Sequence, residues 1–310
     1  MRAAIIDCGT NTFNILVAEL ANNTFRKVFS SKIPVKLGEG GNNLQAIAPE
    51  AFQRGVSALI KFKHYTERYQ VQQVCAFATA AIRDASNGIE FKNQVWKETG
   101  INLTIIDGSR EAELIYKGNI KAVKVANESV LIMDIGGGSN EYIIGNHQKI
   151  FWKQSFRHGA ARMLEKFKPS DPLSPQNISD FNQFMDDELK SLSKAINEFN
   201  PKTLIGSSGA FDSIVELIHA RLHGESFSEE KTAYSVNLTD YHSISSFIKN
   251  SKYAERLNMP GLAQMRADMM VISCLLMDYI IQLSKPEQFI VSAFSLKEGA
   301  LMELLSQHNT

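Results

Sequence analysis

The feature that most constrains this fold is a pattern written twice. AAIIDCGTNTFNILVAEL (3–20) and SVLIMDIGGGSNEYIIGN (129–146) share one layout: an apolar strand, Asp-x-Gly, two small or polar residues, a hydroxyl or amide, and a second apolar strand. Asp7 aligns with Asp134, Gly9 with Gly136, Asn11 with Gly138 and Thr12 with Ser139, an offset of 127 residues. That is about one domain length. A hairpin repeated at this distance predicts a duplicated α/β unit in a chain of 310 residues, as length alone also allows. The natural boundary falls near 122–128, giving domain I at 1–123 and domain II at 124–310.

The elements around the repeat follow from periodicity. Residues 3–6, 13–20 and 25–36 read as strands, and the turn-rich GEGGN (38–42) ends that run. A lone Gly-x-Gly-Gly is a weak phosphate signal and reads first as a plain turn. Phe52, Val56, Leu59, Ile60 and Phe62 mark an amphipathic core helix that starts at Pro49. The strand 71–79, a helix at 87–99, the strand 101–106 and a helix from Ser109, its expected N-cap, complete the first unit. In the second unit a strand at 147–155, a helix at 159–167, one long helix over 175–198, the strand 203–208 and further helices are expected. KPSDPLSP (168–175) reads as a loop between helices, and 293–307 as a closing helix.

The two turns suit a phosphate ligand. Glycines permit φ > 0 and close approach of the backbone, and successive N–H groups can form an anion-binding nest. A carboxylate beside phosphate makes sense when it holds a divalent cation facing the phosphates. The plain-hairpin reading suits DIGGGSNE (134–141) poorly, because three consecutive glycines each carry an ordering cost of about 1 kcal/mol. Two further segments support the site. GSREAELIYKG (108–118) places Glu111 and Glu113 in a first helical turn, and ATAAIRDASNG (78–88) places Arg83 beside Asp84 directly after a strand. Their bland readings are a helix-dipole interaction and a surface ion pair. For Arg83 the functional reading is a guanidinium gripping phosphate.

Composition removes several classes. Lys+Arg and Asp+Glu both number 33, so the net charge is zero, without the basic excess of a chain that coats nucleic acid or an anionic membrane. Cys8, Cys75 and Cys274 are far apart and form no CxxC, so no zinc site is readable and buried, reduced thiols are expected. The N-terminus reaches an acid after four apolar residues, and the apolar stretch 269–283 is interrupted by Asp278. Neither a signal peptide nor a membrane span of about 18–20 residues is read there, and a cytoplasmic location is expected.

With these residues in view, the chain resembles the exopolyphosphatase/guanosine pentaphosphate phosphohydrolase family of the sugar kinase/heat-shock chaperone/actin superfamily. The stretches that carry the resemblance are 3–19, 77–87, 105–118, 130–145, 157–163, 204–214, 265–268 and 292–301. The resemblance implies two RNase H-like domains with an interdomain cleft, a C-terminal helix (296–308) that joins domain I, and Mg²⁺-dependent removal of the terminal phosphate from polyphosphate or guanosine pentaphosphate. It assigns Glu111 as the catalytic glutamate and Arg83 as the arginine of a Thr-x-x-x-Arg loop. Gly9, Asn11 and Thr12 with Gly136, Gly137, Gly138 and Ser139 are the expected phosphate contacts, and Asp134, Glu141 and Asp7 the expected metal ligands. Hinge closure of the two lobes is expected to exclude water.

The chain departs from the pattern at Arg110, where the family has the first glutamate of Glu-Glu-Ala; at Ser139-Asn140, where Ser-Thr is usual; and at GTNT in place of GSNS. A solvated arginine is the expected role of Arg110. A short, two-domain member is expected, which puts processivity on long chains in doubt; a homodimer is an open expectation. Two other functions stay open: an ATP-dependent kinase or ATPase, for which GSSGAFDS (206–213) offers a Gly-rich turn, and a polyphosphate or alarmone sensor that does not hydrolyse. His158 reads as a loop histidine or a phosphate-side donor. Arg266 and Asp268 read as an interdomain ion pair or a substrate contact.

Overall fold

The computed structural model describes residues 1–21, 24–40, 46–125, 127–223 and 231–307. Strands β1 (Arg2–Cys8), β2 (Thr12–Ala21) and β3 (Thr24–Pro34) form an antiparallel meander. Helix α1 (Pro49–Arg68) leads to β4 (Gln73–Ala78), α2 (Ala80–Arg83), α3 (Gly88–Thr99), β5 (Leu103–Ile105) and α4 (Gly108–Ala122). The sheet order is β3-β2-β1-β4-β5, with β1, β4 and β5 parallel. Ala3, Ala4, Ile5 and Ile6 are fully buried, as a central strand covered on both faces requires. The stripe predicted for α1 faces inward through Phe52, Val56, Leu59 and Phe62, and packs with Phe13, Ile15 and Phe91 into one core.

The pattern then recurs. Strands β6 (Val130–Ile135), β7 (Asn140–Gly145) and β8 (Ile150–Phe156) form a second meander. Helices α5 (Ala160–Phe167), α6 (Pro175–Glu188) and α7 (Lys190–Phe199) precede β9 (Thr203–Ser207), α8 (Gly209–Ile218) and a π-helical turn at 219–223. Strand β10 (Ala233–Val236), helices α9 (Leu238–Asn250) and α10 (Tyr253–Arg256), a 3₁₀ turn (Gln264–Arg266), α11 (Met270–Ser284), β11 (Gln288–Ser292) and α12 (Leu296–Gln307) close the chain. The sheet order is β10-β11-β9-β6-β7-β8. Without β10 it repeats the first sheet strand for strand: β6, β9 and β11 are parallel and β7 and β8 antiparallel, so the duplication read from the hairpins extends to the topology.

By contact the chain divides into two compact units. The first comprises Met1–Gly118, Gly136–Ser139 and the segment from Leu296; the second comprises Asn119–Ile135 and Asn140–Ser295. The division falls within α4, a few residues before the predicted stretch.

Several local expectations are corrected. The helix predicted over 175–198 is two helices, because Leu189 departs from helical geometry (φ −98°, ψ 20°). The bend lets Phe181 and Met185 of α6 and Leu192, Ala195 and Ile196 of α7 reach the same core. Strand β8 starts at Ile150, since the Asn146 side chain accepts from the N–H groups of Gln148 and Lys149 and holds a turn. Strands β10 and β11, absent from the sequence reading, are short segments whose pairing partners are distant in the chain. Of the GEGGN stretch, 38–40 form a turn, while Gly41 and Asn42 lie outside the described residues, as does residue 308 of the closing helix. The apolar stretch 269–283 is helix α11, with Asp278 accepting from Tyr241, Ser245 and Lys249. Among the described residues no helix is long and apolar enough to cross a membrane. Cys8 and Cys274 are buried and Cys75 half-buried, all as free thiols.

Candidate active site

The first turn follows β1, which ends at Cys8. Gly9 N–H donates to Thr12 O at 3.2 Å, closing the hairpin. Val35 and Lys36 N–H donate to Asn11 O, and Leu37 N–H to Thr10 O, at 2.7–2.9 Å. The loop carbonyls are thereby tied into the segment after β3, away from any anion at the turn. The second turn repeats this closure: Gly136 N–H donates to Ser139 O at 3.0 Å. The N–H groups of Gly9 and Gly136 thus close their turns in the same way.

None of Gly9, Gly136, Gly137 and Gly138 has a left-handed φ; among the described residues the positive-φ glycines are Gly40, Gly100 and Gly261. The expected conformational reason for three glycines is thus replaced by a steric one. A Cβ at Gly137 would lie 2.6 Å from Asn11 Nδ2, and one at Gly138 2.6 Å from Thr10 Oγ1 and 2.9 Å from Ala80 Cβ. Gly136–Ser139 belongs by contact to the first unit although its flanking strands belong to the second. It packs against Thr10 and Asn11 at van der Waals limits that only glycine permits. Thr10, missed by sequence reading, is buried there; its position between Gly9 and Asn11 was the available signal. Ser139 is nearly buried as well.

Arg83 and Glu111 come together. Arg83 is the last residue of α2, and its Nη1 donates to Glu111 Oε2 at 3.0 Å and to Ile106 O at 3.3 Å. Its Nε lies 3.5 Å from Asp84 Oδ1. Glu111 is 7% exposed. Its helix is capped by Asp107, not Ser109: Asp107 Oδ1 accepts from Arg110 N–H at 2.7 Å, and Asp107 O from Glu111 N–H at 3.0 Å. An Asp at this position satisfies an orphan N–H and complements the helix dipole. The aspartate before Gly-Ser was readable in the sequence.

The two hairpins differ at the position of the expected metal ligands. In β1–β2, Asp7 pairs with Asn14, whose Nδ2 donates to Asp7 Oδ2 at 3.3 Å. In β6–β7 the equivalent pair is Asp134 and Glu141, 6% and 1% exposed. Directly opposed side chains hold their Cβ atoms about 4.5–5.5 Å apart, and like charges there repel. Ser207 and Ser295 each donate to Asp134 Oδ2 at 2.6 Å, and Ser155 donates to Glu141 Oε1 at 2.7 Å. Two opposed carboxylates of this kind are a type of acid pair that can hold a divalent cation. Among the described residues no three His, Cys, Asp or Glu side chains are grouped to hold a metal. Mg²⁺ commonly takes one or two carboxylates and fills its octahedron with water and substrate phosphates, which the Asp134–Glu141 pair allows.

Other singled-out residues take structural roles. His158 is buried, packs on Phe156 and Phe184, and has Nε2 3.4 Å from Glu188; burial lowers its pKa against the pull of Glu188. It lies in the loop between β8 and α5, as expected, with its side chain buried in the core. Arg266 donates to Ser213 Oγ at 2.7 Å and lies 4.0 Å from Asp212, both within the second unit, so the interdomain ion pair is replaced by a local one. Its guanidinium lies 2.3 Å from where a Cβ at Gly209 would be, and the Phe211 ring 2.1 Å from one at Gly206. The Gly-rich turn considered for a nucleotide is filled by the unit's own side chains. Asp268 Oδ1 accepts from Met269 N–H. Arg110 is only partly exposed and forks onto Glu303.

The sequence profile of the Ppx/GppA phosphatase family matches residues 16–308. The crystal structure of an exopolyphosphatase from Cytophaga hutchinsonii superposes with a TM-score of 0.96 at 36% identity, covering 99% of this chain and 98% of that one. A bifunctional 3-dehydroquinate synthase/phosphatase of Fusobacterium nucleatum is 32% identical over 97% of the chain and 46% of its own length. A guanosine-5'-triphosphate,3'-diphosphate pyrophosphatase of Pseudoalteromonas translucida is 28% identical over 99% of the chain and 60% of its own length. The chain thus spans about half to three-fifths of these two relatives.

Proposed function

Because the chain belongs to the Ppx/GppA phosphatase family, we propose that it hydrolyses the terminal phosphoanhydride bond of inorganic polyphosphate, with guanosine pentaphosphate as a second substrate of the same site. The observation that carries this reading is the gathering, in one compact unit, of the Thr10–Asn11 turn, the Gly136–Ser139 loop and the Arg83–Glu111 pair. The names of the exopolyphosphatase and pyrophosphatase relatives support the substrate class.

In this reading, water attacks the terminal phosphorus while the bridging oxygen leaves with the shortened chain. The step is mostly positioning and charge neutralisation. Glu111 orients the water and accepts its proton. Arg83 fixes the direction of Glu111; its guanidinium also adds positive charge beside the reacting phosphate. The main-chain N–H groups around Gly137 and Gly138, with Asn11 and Thr12, cradle phosphate oxygens. Asp134 and Glu141 would hold Mg²⁺, which supplies Lewis-acid charge to phosphate oxygens when bound. Asp7, committed to Asn14, contributes negative charge near the first turn. The kinase reading lacks an open Gly-rich turn at 206–209, and a sensor would not need the Arg83–Glu111 pair.

Phosphate release from long polyphosphate, short polyphosphate and guanosine pentaphosphate, each with and without Mg²⁺, tests the reading. Mg²⁺-dependent release from at least one is expected; ATP turnover with none from the three would overturn it. Glu111→Gln keeps the Arg83 hydrogen bond but removes the base, and turnover should fall about 100-fold or more.

A further inference from the structure

The helix that carries Glu111 is held from two sides. On one, Arg83 donates directly to Glu111. On the other, the neighbouring Arg110 forks onto Glu303 of α12: Nη1 donates to Oε1 at 2.8 Å and Nη2 to Oε2. Lys117, two turns further along α4, donates to the same carboxylate. Arg110 Nη1 also reaches Glu113 Oε2 at 3.3 Å. The two backbones touch below this fork, since a Cβ at Gly299 would lie 1.8 Å from Leu114 O and 3.0 Å from Gly118 N.

Consecutive residues on an α-helix point about 100° apart. A helix seated on a backbone contact at Leu114–Gly118 and tied by its Arg110 side chain cannot slide or rotate without breaking one of the two. α12 thus bears on the orientation of the helix that carries Glu111, while Arg83 touches Glu111 itself. Isolated surface ion pairs contribute little. This one differs in being bidentate, in drawing two cations to one carboxylate, and in leaving only 16% of the Glu303 side chain exposed. Its two ends are separated by 193 residues.

We propose that Glu303 is a positioning residue for Glu111, acting through Arg110 to fix the rotation of α4, so that the C-terminal helix is a working part of the hydrolytic site. The inference rests on the role given to Glu111 above. A misplacement of a catalytic group by about 1 Å can cost up to about 100-fold in rate, and loss of one of two restraints is expected to cost less.

The test is a double-mutant cycle of Glu111→Gln and Glu303→Gln, read as kcat and KM for phosphate release from polyphosphate with Mg²⁺, with thermal unfolding of each variant alongside. Glu303→Gln alone should lower kcat about tenfold with KM changed less than about twofold, and should add nothing in the Glu111→Gln background. Arg110→Met, which removes the fork from its other end, should reproduce the same kcat loss and keeps the test decisive if Glu303→Gln folds poorly. Either variant folded with unchanged kcat, or Glu303→Gln lowering the residual rate of Glu111→Gln by the same factor, overturns this inference while the hydrolase reading stands. A Glu111→Gln protein that turns over at the wild-type rate removes both the base and this inference.

Discussion

A methyl group at Gly138 would meet Thr10 Oγ1 at 2.6 Å and Ala80 Cβ at 2.9 Å, and one at Gly137 would meet Asn11 Nδ2 at 2.6 Å, which explains two of the three glycines of the loop. At Gly100 the reason is opposite: nothing stands within 4 Å, but φ is +70° at the C-cap of α3. Sequence shows that glycine is required at each position; only packing tells which of glycine's two properties is used. Gly138→Ala is expected to displace the loop at a cost of about 1–3 kcal/mol in stability, and to raise KM for polyphosphate more than it lowers kcat. Steady-state phosphate release and urea unfolding on the same preparation check both parts. Asp134 and Glu141 were readable as acids flanking a turn, whereas the hydroxyls that solvate Asp134, from Ser207 and Ser295, lie 73 and 161 residues away.

Among the elements, α4 and α12 show how a helix is placed by its neighbours. The existence of both was legible from the sequence, and the joining of α12 to the first domain from the family resemblance. Their crossing was not, because periodicity specifies which face is apolar and says nothing of what covers it. Gly299→Ala forces a Cβ onto the Leu114 carbonyl oxygen, so α12 must move. A lowered thermal midpoint together with reduced kcat is the expected result, and unchanged values of both would contradict the contact. Burial alone would raise the pKa of Glu303; hydrogen bonds from Arg110 and Lys117 outweigh it and hold the carboxyl below its ordinary range. A lowered folded-state pKa stabilises above the unfolded value, about 4.3, and that contribution is lost as pH falls toward the folded one. The difference in unfolding midpoint between wild type and Glu303→Gln should therefore be present at neutral pH and shrink under acid, as scans across that range will show. The division of the predicted 175–198 helix has the same origin: one core must receive two stripes, and Leu189 turns the chain between them.

For the molecule as a whole, the repeated strand order in the two sheets extends what the two hairpins announced. The copies have diverged where chemistry is assigned: Asp7 faces an amide and Asp134 a carboxylate. Ligand binding should register in the stability of the chain. Saturation to 100 times Kd adds about 2.7 kcal/mol, so tripolyphosphate with Mg²⁺ is expected to raise the thermal midpoint. Asp134→Asn should lose the Mg²⁺-dependent part of that rise together with turnover. Equal rises with and without Mg²⁺ in the wild type would argue against the acid pair as the metal site.

By itself the sequence determined the duplicated α/β architecture and the two acid-and-glycine hairpins, because these are local patterns of strand and turn, and its motifs singled out Glu111 and Arg83 as candidates. Tertiary structure alone decided that Gly136–Ser139 packs on Thr10 and Asn11, that serines from β9 and the loop before α12 solvate Asp134, and that Arg110 answers to Glu303. Those partners are chosen by which surfaces meet when distant segments are buried together, and no spacing along the chain encodes that choice.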